Sequence, residues 1–121
     1  MTLSQRIAAL SAPDRVMDVA IELTRPDVLP HPNGLNDGYV LSGPNNAEHG
    51  GGQGYLAPCY TASIDAAVRL IPEDWQLRVI TNHRARFQVH LIRRGRWDSV
   101  SADAQTECLA RCAAALKARG L

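Results

Sequence analysis

The chain has 121 residues, 45% of them hydrophobic, and a formal net charge of +1. A chain of that length removes roughly two thirds of its unfolded surface from water, so one domain can build a core without disulfides or metal. A charge so near zero excludes a global field for nucleic acid or anionic membrane, and no stretch approaches the ~18 apolar residues of a membrane span.

The N-terminal MTLSQRIAAL lacks a charged start followed by an apolar block, so no signal peptide is expected. Thr2 reads as a helix N-cap with Gln5 as its capping-box partner, and Leu3, Ile7 and Leu10 share a face. Ser11, Pro13 and Asp14 start a helix again, in which Val16, Met17, Val19, Ala20, Ile21 and Leu23 form a broad apolar stripe, so that two short helices or one bent one fill residues 2 to 24. Residues 26 to 58 then hold five of the seven prolines and seven of the nine glycines, with one short strand expected at Tyr39–Leu41. Such a segment loses much entropy on ordering and buries little in return. We read it as an insertion at about 26–58 within a single domain spanning 1–121.

Thr61 or Ser63 caps a third helix, with Asp65 in its first turn, Ile64, Ala67, Val68 and Ile71 on its buried face, and Pro72 as its stop. Trp75, Leu77 and Val79 alternate with Gln76 and Arg78, which predicts a half-buried strand. Residues 82 to 84 read as a turn. Phe87, Val89 and Leu91 alternate with Gln88 and His90 in a second strand, Arg94-Gly95 turns the chain, and Trp97 to Val100 adds a third strand. Ser101 is expected to cap the last helix, with Cys108, Leu109, Cys112, Ala113 and Leu116 inward, a Glu107–Arg111 pair outward and Gly120 as its stop. The odd count of three cysteines, Cys59, Cys108 and Cys112, points to reduced thiols and a cytoplasmic setting. Sequential strands with short turns give an antiparallel meander. The expected fold is α+β, a small antiparallel sheet of two to four strands sandwiched by helices in the order α, α, insertion, α, β, β, third β, α.

The run Tyr60, Thr61, Ser63, Asp65, Ala66, Ala67, then Pro72 and Trp75, with the closing Ala113, Ala114, Leu116, Lys117 and Ala118, resembles the phage α-β-α sandwich family. The leading SAPDRVMDVAIEL looks like the opening helix of such proteins. The resemblance covers about two thirds of the chain and implies a fold and a phage or prophage setting, with the host cytoplasm as location. It transfers no catalytic residue, and the 26–58 insertion is a departure from it.

Enzymatic signatures are weak. His49-Gly50-Gly51-Gly52 matches an esterase oxyanion loop in letters, but no GxSxG elbow accompanies it, and no GK[ST] follows to make a P-loop. The cysteines and histidines lack zinc spacing, so Cys108 and Cys112 read as small core residues. No metal, cofactor or catalytic group is expected. A hydrolase using His49 with Asp37 or Glu48, or using Cys59, is the weakest alternative.

The best functional candidate is the acid-free window between Asp74 and Asp98, which holds Arg78, Arg84, Arg86, Arg93, Arg94 and Arg96 with His83 and His90. Alternation predicts Arg84 and Arg86 on the same side as Gln88 and His90, presenting guanidinium forks suited to phosphate. The plain alternative is a solvated sheet face with each arginine paired to a carboxylate. Aromatic residues make up only 5%, which disfavours nucleic acid and favours a small nucleotide-like anion. The expected ligand residues are Arg84, Arg86 and Arg94 for phosphates, His90 as a neutral donor, and Tyr60 for stacking, with Tyr39, Tyr55 and Trp97 as other available rings. A non-catalytic phage accessory protein that sequesters such an anion is the leading expectation, with the insertion as a lid and a homo-oligomer forming pockets between subunits. A protein-interaction module with no small ligand is the alternative.

Overall fold

A computed structural model describes residues 1–32, 37–44 and 52–121. Their order is α1 (Leu3–Ala8), α2 (Arg15–Glu22), β1 (Val28–Pro30), β2 (Tyr39–Ser42), β3 (Gly54–Leu56), α3 (Ile64–Val68), β4 (Trp75–His83), β5 (Arg86–Arg93), β6 (Ser99–Ala104) and α4 (Glu107–Ala118). The fold is a small α+β arrangement with two antiparallel three-stranded sheets, β1-β2-β3 and β4-β5-β6. The described residues gather into two compact units, Met1–Pro13 with Tyr60–Leu121, and Asp14–Cys59.

In the first unit, α1 starts as expected: the Thr2 hydroxyl accepts from the Gln5 amide, and the Gln5 side chain accepts from the Thr2 amide. Ile7 is buried, and the Ser4 hydroxyl donates to the Ala113 carbonyl at 2.7 Å. Alanines at 110, 113, 114 and 115 are buried along α4, and their small side chains let the helix lie close to β5 and β6. Cys108, Leu109, Cys112 and Leu116 are buried with them, and Arg111 donates to Glu107 at 3.0 Å. Gly120 takes φ +80° beyond the helix end, a left-handed stop that suits glycine.

Two expectations need correction here. The cap of α4 is Thr106, not Ser101, because β6 runs on to Ala104 and includes Ser101. Its serines and alanines alternate in period two but carry little strand propensity of their own. In α3, capped by Ser63, Ile64 and Val68 are exposed while Ala66, Ala67 and Leu70 are buried. The helix is only five residues long and meets α4 through its small residues, so the bulkier pair is left outside.

The sheet of this unit is the expected meander, with β5 in the middle. Phe87, Val89 and Leu91 share one side, paired with Ala104, Ala102 and Val100 of β6, and Val89 and Leu91 are fully buried. The opposite side carries Arg86, Gln88, His90 and Ile92, flanked by Thr81, Val79, Asp103, Ser101 and Ser99. Of these, Arg86, Thr81, Val79, Asp103 and Ser99 are exposed, so this side of the sheet faces solvent.

In the second unit, the glycine- and proline-rich stretch contributes three strands where one was expected. Val28 pairs with Ser42, and Tyr39 with Leu56, on either side of β2. Val19 of α2 packs with Val28, Val40 and Ala57, so α2 belongs by packing with this sheet. The Arg15 guanidinium ties the unit together, donating to Asp18 at 2.9 Å and to the Ala57 carbonyl at 2.9 Å. Gly38 has φ +82°, and a Cβ there would run into that guanidinium. Glu22 is fully buried, yet its carboxylate accepts from Tyr55 at 2.7 Å and from Arg25 at 3.2 Å. Those donors compensate for its lost hydration.

Candidate functional site

The solvent-facing side of β4-β5-β6 carries the basic residues, and each end of it has a cleft. At the β4–β5 turn, a cleft of about 260 Å³ is lined by Thr81, His83, Arg84, Arg86, Gln88 and Asp103. Arg84 and Ala85 sit in the turn with φ +53° and +60°, flanked by the His83–Arg86 pair. Two successive positive φ values define the hairpin turn whose twist matches the strands, though its usual residues are Asn and Gly. Arg84 therefore stands at the hairpin tip and not in a strand beside Arg86. Arg86 is engaged already: its Nε donates to Asp103 Oδ1 at 3.0 Å and its Nη2 to the Asp103 carbonyl at 3.2 Å.

The other end is built around the β5–β6 connection. Gly95 takes φ +69° and the Arg96 amide donates to the Arg93 carbonyl at 3.2 Å, closing a tight turn at Arg94-Gly95. Arg93 braces its base, with Nε on Asp74 at 2.7 Å and Nη1 within 3.5 Å of Asp98. The Arg94 amide adds a 2.7 Å bond to the Asp74 carbonyl. On this base Arg94, Arg96 and Trp97 project with Gln76 and Ile92 around a cleft of about 330 Å³. Trp97 is 98% exposed. Arg94 and Arg96 are exposed, and neither forms an ion pair among the described residues.

The five expected ligand residues are thus not brought to one place. Arg84 and Arg86 mark one end, and Arg94 the other, about 27 Å away along an extended strand. His90 lies between them, half-buried on β5 beside Val79 and Ser101. Tyr60 is 4% exposed, and its carbonyl accepts from the thiols of Cys108 and Cys112 at 3.1 and 2.9 Å. A ring so enclosed has no face to offer a ligand, so the stacking role expected for Tyr60 fails. Trp97, also considered as a ring but placed in a strand, has that face. Its signal in the sequence is RGRWD, a tryptophan with no apolar neighbour to pack beside it.

A larger cleft than either, about 410 Å³, lies elsewhere, between α1, β6 and the end of α4, where Lys117 donates to the Ser101 carbonyl at 3.3 Å. Its only charged side chains are Lys117 and Asp103, a poorer anion site than the two clefts on the sheet. Among the described residues no three His, Cys, Asp or Glu converge to hold a metal. Cys59 is exposed, with Arg15 Nη1 3.3 Å from its sulfur. His49, Glu48 and the first two glycines of the HGGG run lie outside the described residues. Among the described residues no helix is long and apolar enough to cross a membrane.

The chain matches no family model, no curated protein and no solved structure.

Proposed function

We propose that this protein binds a small nucleotide-like anion at the Arg94–Arg96–Trp97 corner, without chemistry on it. The observation that carries this reading is the contrast in partners. Arg86 and Arg93 are occupied by carboxylates, whereas Arg94 and Arg96 stand exposed beside an indole that packs on almost nothing. Two guanidinium forks suit phosphate oxygens, and the indole face suits a nucleobase. The braced turn fixes the backbone that carries them, so binding need order only the side chains. In the phage or prophage setting implied by the sequence resemblance, such a protein acts by sequestration, and its ligand is recovered unchanged. The expected homo-oligomer supplies the enclosure that an open sheet lacks.

Calorimetry with AMP, ADP, a cyclic dinucleotide and inorganic pyrophosphate tests the reading. The base-bearing compounds should bind, and Trp97→Ala should weaken them by about 5- to 150-fold, the value of one stacked base. Pyrophosphate should be weak and indifferent to Trp97. Silence across the panel with the native protein refutes the proposal. A second reading rests on the same residues, since exposed tryptophan and arginine are the side chains that anchor protein interfaces. It is favoured if Trp97→Ala abolishes capture of a protein partner while the panel stays silent.

A further inference from the structure

β4 is an edge of its sheet, and an unusually open one. It runs for nine residues, about 30 Å of backbone. Natural edge strands are protected by brevity, prolines, charges or a covering element. β4 has no proline and one charged residue, Arg78, at a shift of register between Leu77 and Val79. Leu77 and Val79 are 40% and 42% exposed. The ionisable groups around it are ordered: Glu73 and Asp74 precede the strand, and His83 and Arg84 close it, all four exposed. A strand acidic at its start and basic at its end is complementary to its own copy running the other way.

We propose that β4 pairs antiparallel with β4 of a second copy across a two-fold axis normal to the sheet, giving one continuous six-stranded sheet. The two sides of the sheet select the register. Pairing with β5 places Trp75, Leu77 and Ile80 on the side of Val89 and Leu91, and Gln76, Val79, Thr81 and His83 on the side of His90. The shift at Arg78 reverses the alternation. Like sides then stay together through that point only when Arg78 stands opposite Val79 of the second copy. Leu77 meets Ile80, Gln76 meets Thr81, Asp74 meets His83 and Glu73 meets Arg84, each twice by symmetry. Arg78 never faces itself, and each acid finds a base.

The pairing also changes the two clefts on the solvent-facing side. Gln76 lines the cleft of Trp97, and Thr81 that of Arg84. At opposite ends of one chain, they become neighbours across the axis. The pairing itself rests on β4 alone and stands whether or not an anion binds.

Sedimentation equilibrium on the full chain over a wide dilution series is the test. The expected mass is twice the 13.2 kDa of one chain. Val79→Lys, which sets an ammonium against Arg78 of the second copy, should raise the dimer dissociation constant at least about tenfold. Glu73→Arg and Arg84→Glu should each weaken the dimer, and the double variant should recover it to within about threefold of native. That recovery separates pairing from any folding defect of a single variant. A monomer at every concentration, an assembly indifferent to Val79→Lys, or a double variant no better than the singles overturns the proposal.

Discussion

The β4–β5 turn offers the sharpest test of the local physics. Ala85 holds φ +60° at an exposed position, where a side chain gains no packing in return. For an L-residue the left-handed region costs about 1–2 kcal/mol, through the approach of Cβ to the following carbonyl. Replacing Ala85 with glycine removes that cost but frees the unfolded chain, giving back about 0.5–1 kcal/mol. With midpoints of about 1.5 and about 0.75 kcal/mol, the net gain is about 0.75 kcal/mol, within a span of about 0–1.5 kcal/mol. The unit formed by Met1–Pro13 and Tyr60–Leu121 falls in the size class where 1 kcal/mol moves Tm by about 4–8 °C, so Ala85→Gly should raise it by roughly 3–6 °C. Both tryptophans, Trp75 and Trp97, lie in this unit, so a thermal melt followed by tryptophan fluorescence reports it directly. A lowered Tm refutes the turn geometry, because a residue in a right-handed conformation loses by the same substitution.

The second unit carries two further predictions. Tyr55→Phe removes one donor from the fully buried Glu22 carboxylate and should cost about 1–3 kcal/mol, seen as about 5- to 150-fold faster amide exchange at Val40 and Leu41. Gly38→Ala combines a positive φ with a collision against Arg15, so it should destabilise the same amides by more than about 1 kcal/mol.

Much of the first unit is legible in its residues. The Thr2–Gln5 capping box, the inward face of α4 and the period-two strands β4 and β5 all follow from local rules whose signals lie within a few residues. What escaped depends on distant partners. β6 is written in serine and alanine, and it is a strand because β5 pairs with it. Ile64 and Val68 look like core residues on a helical wheel, yet Ala66 and Ala67 win the contact with α4. The 26–58 stretch was expected to bury little, but Val28, Val40 and Ala57 give α2 a small apolar patch to cover. At the site, alternation correctly set Arg86 and His90 on the solvent side. It had no means of showing that Asp103 occupies Arg86, or that Tyr60 is buried with its carbonyl held by two thiols of α4. Such facts belong to the sheet's third strand and its covering helix, and the local sequence carries no trace of them.

The contrast among the three thiols has a practical consequence. Cys108 and Cys112 are shut inside the helix layer, whereas Cys59 is open to reagent. A maleimide dye added to native protein should attach at a single point, without any mutagenesis. That point is the residue before Tyr60, where the chain passes from one compact unit to the other.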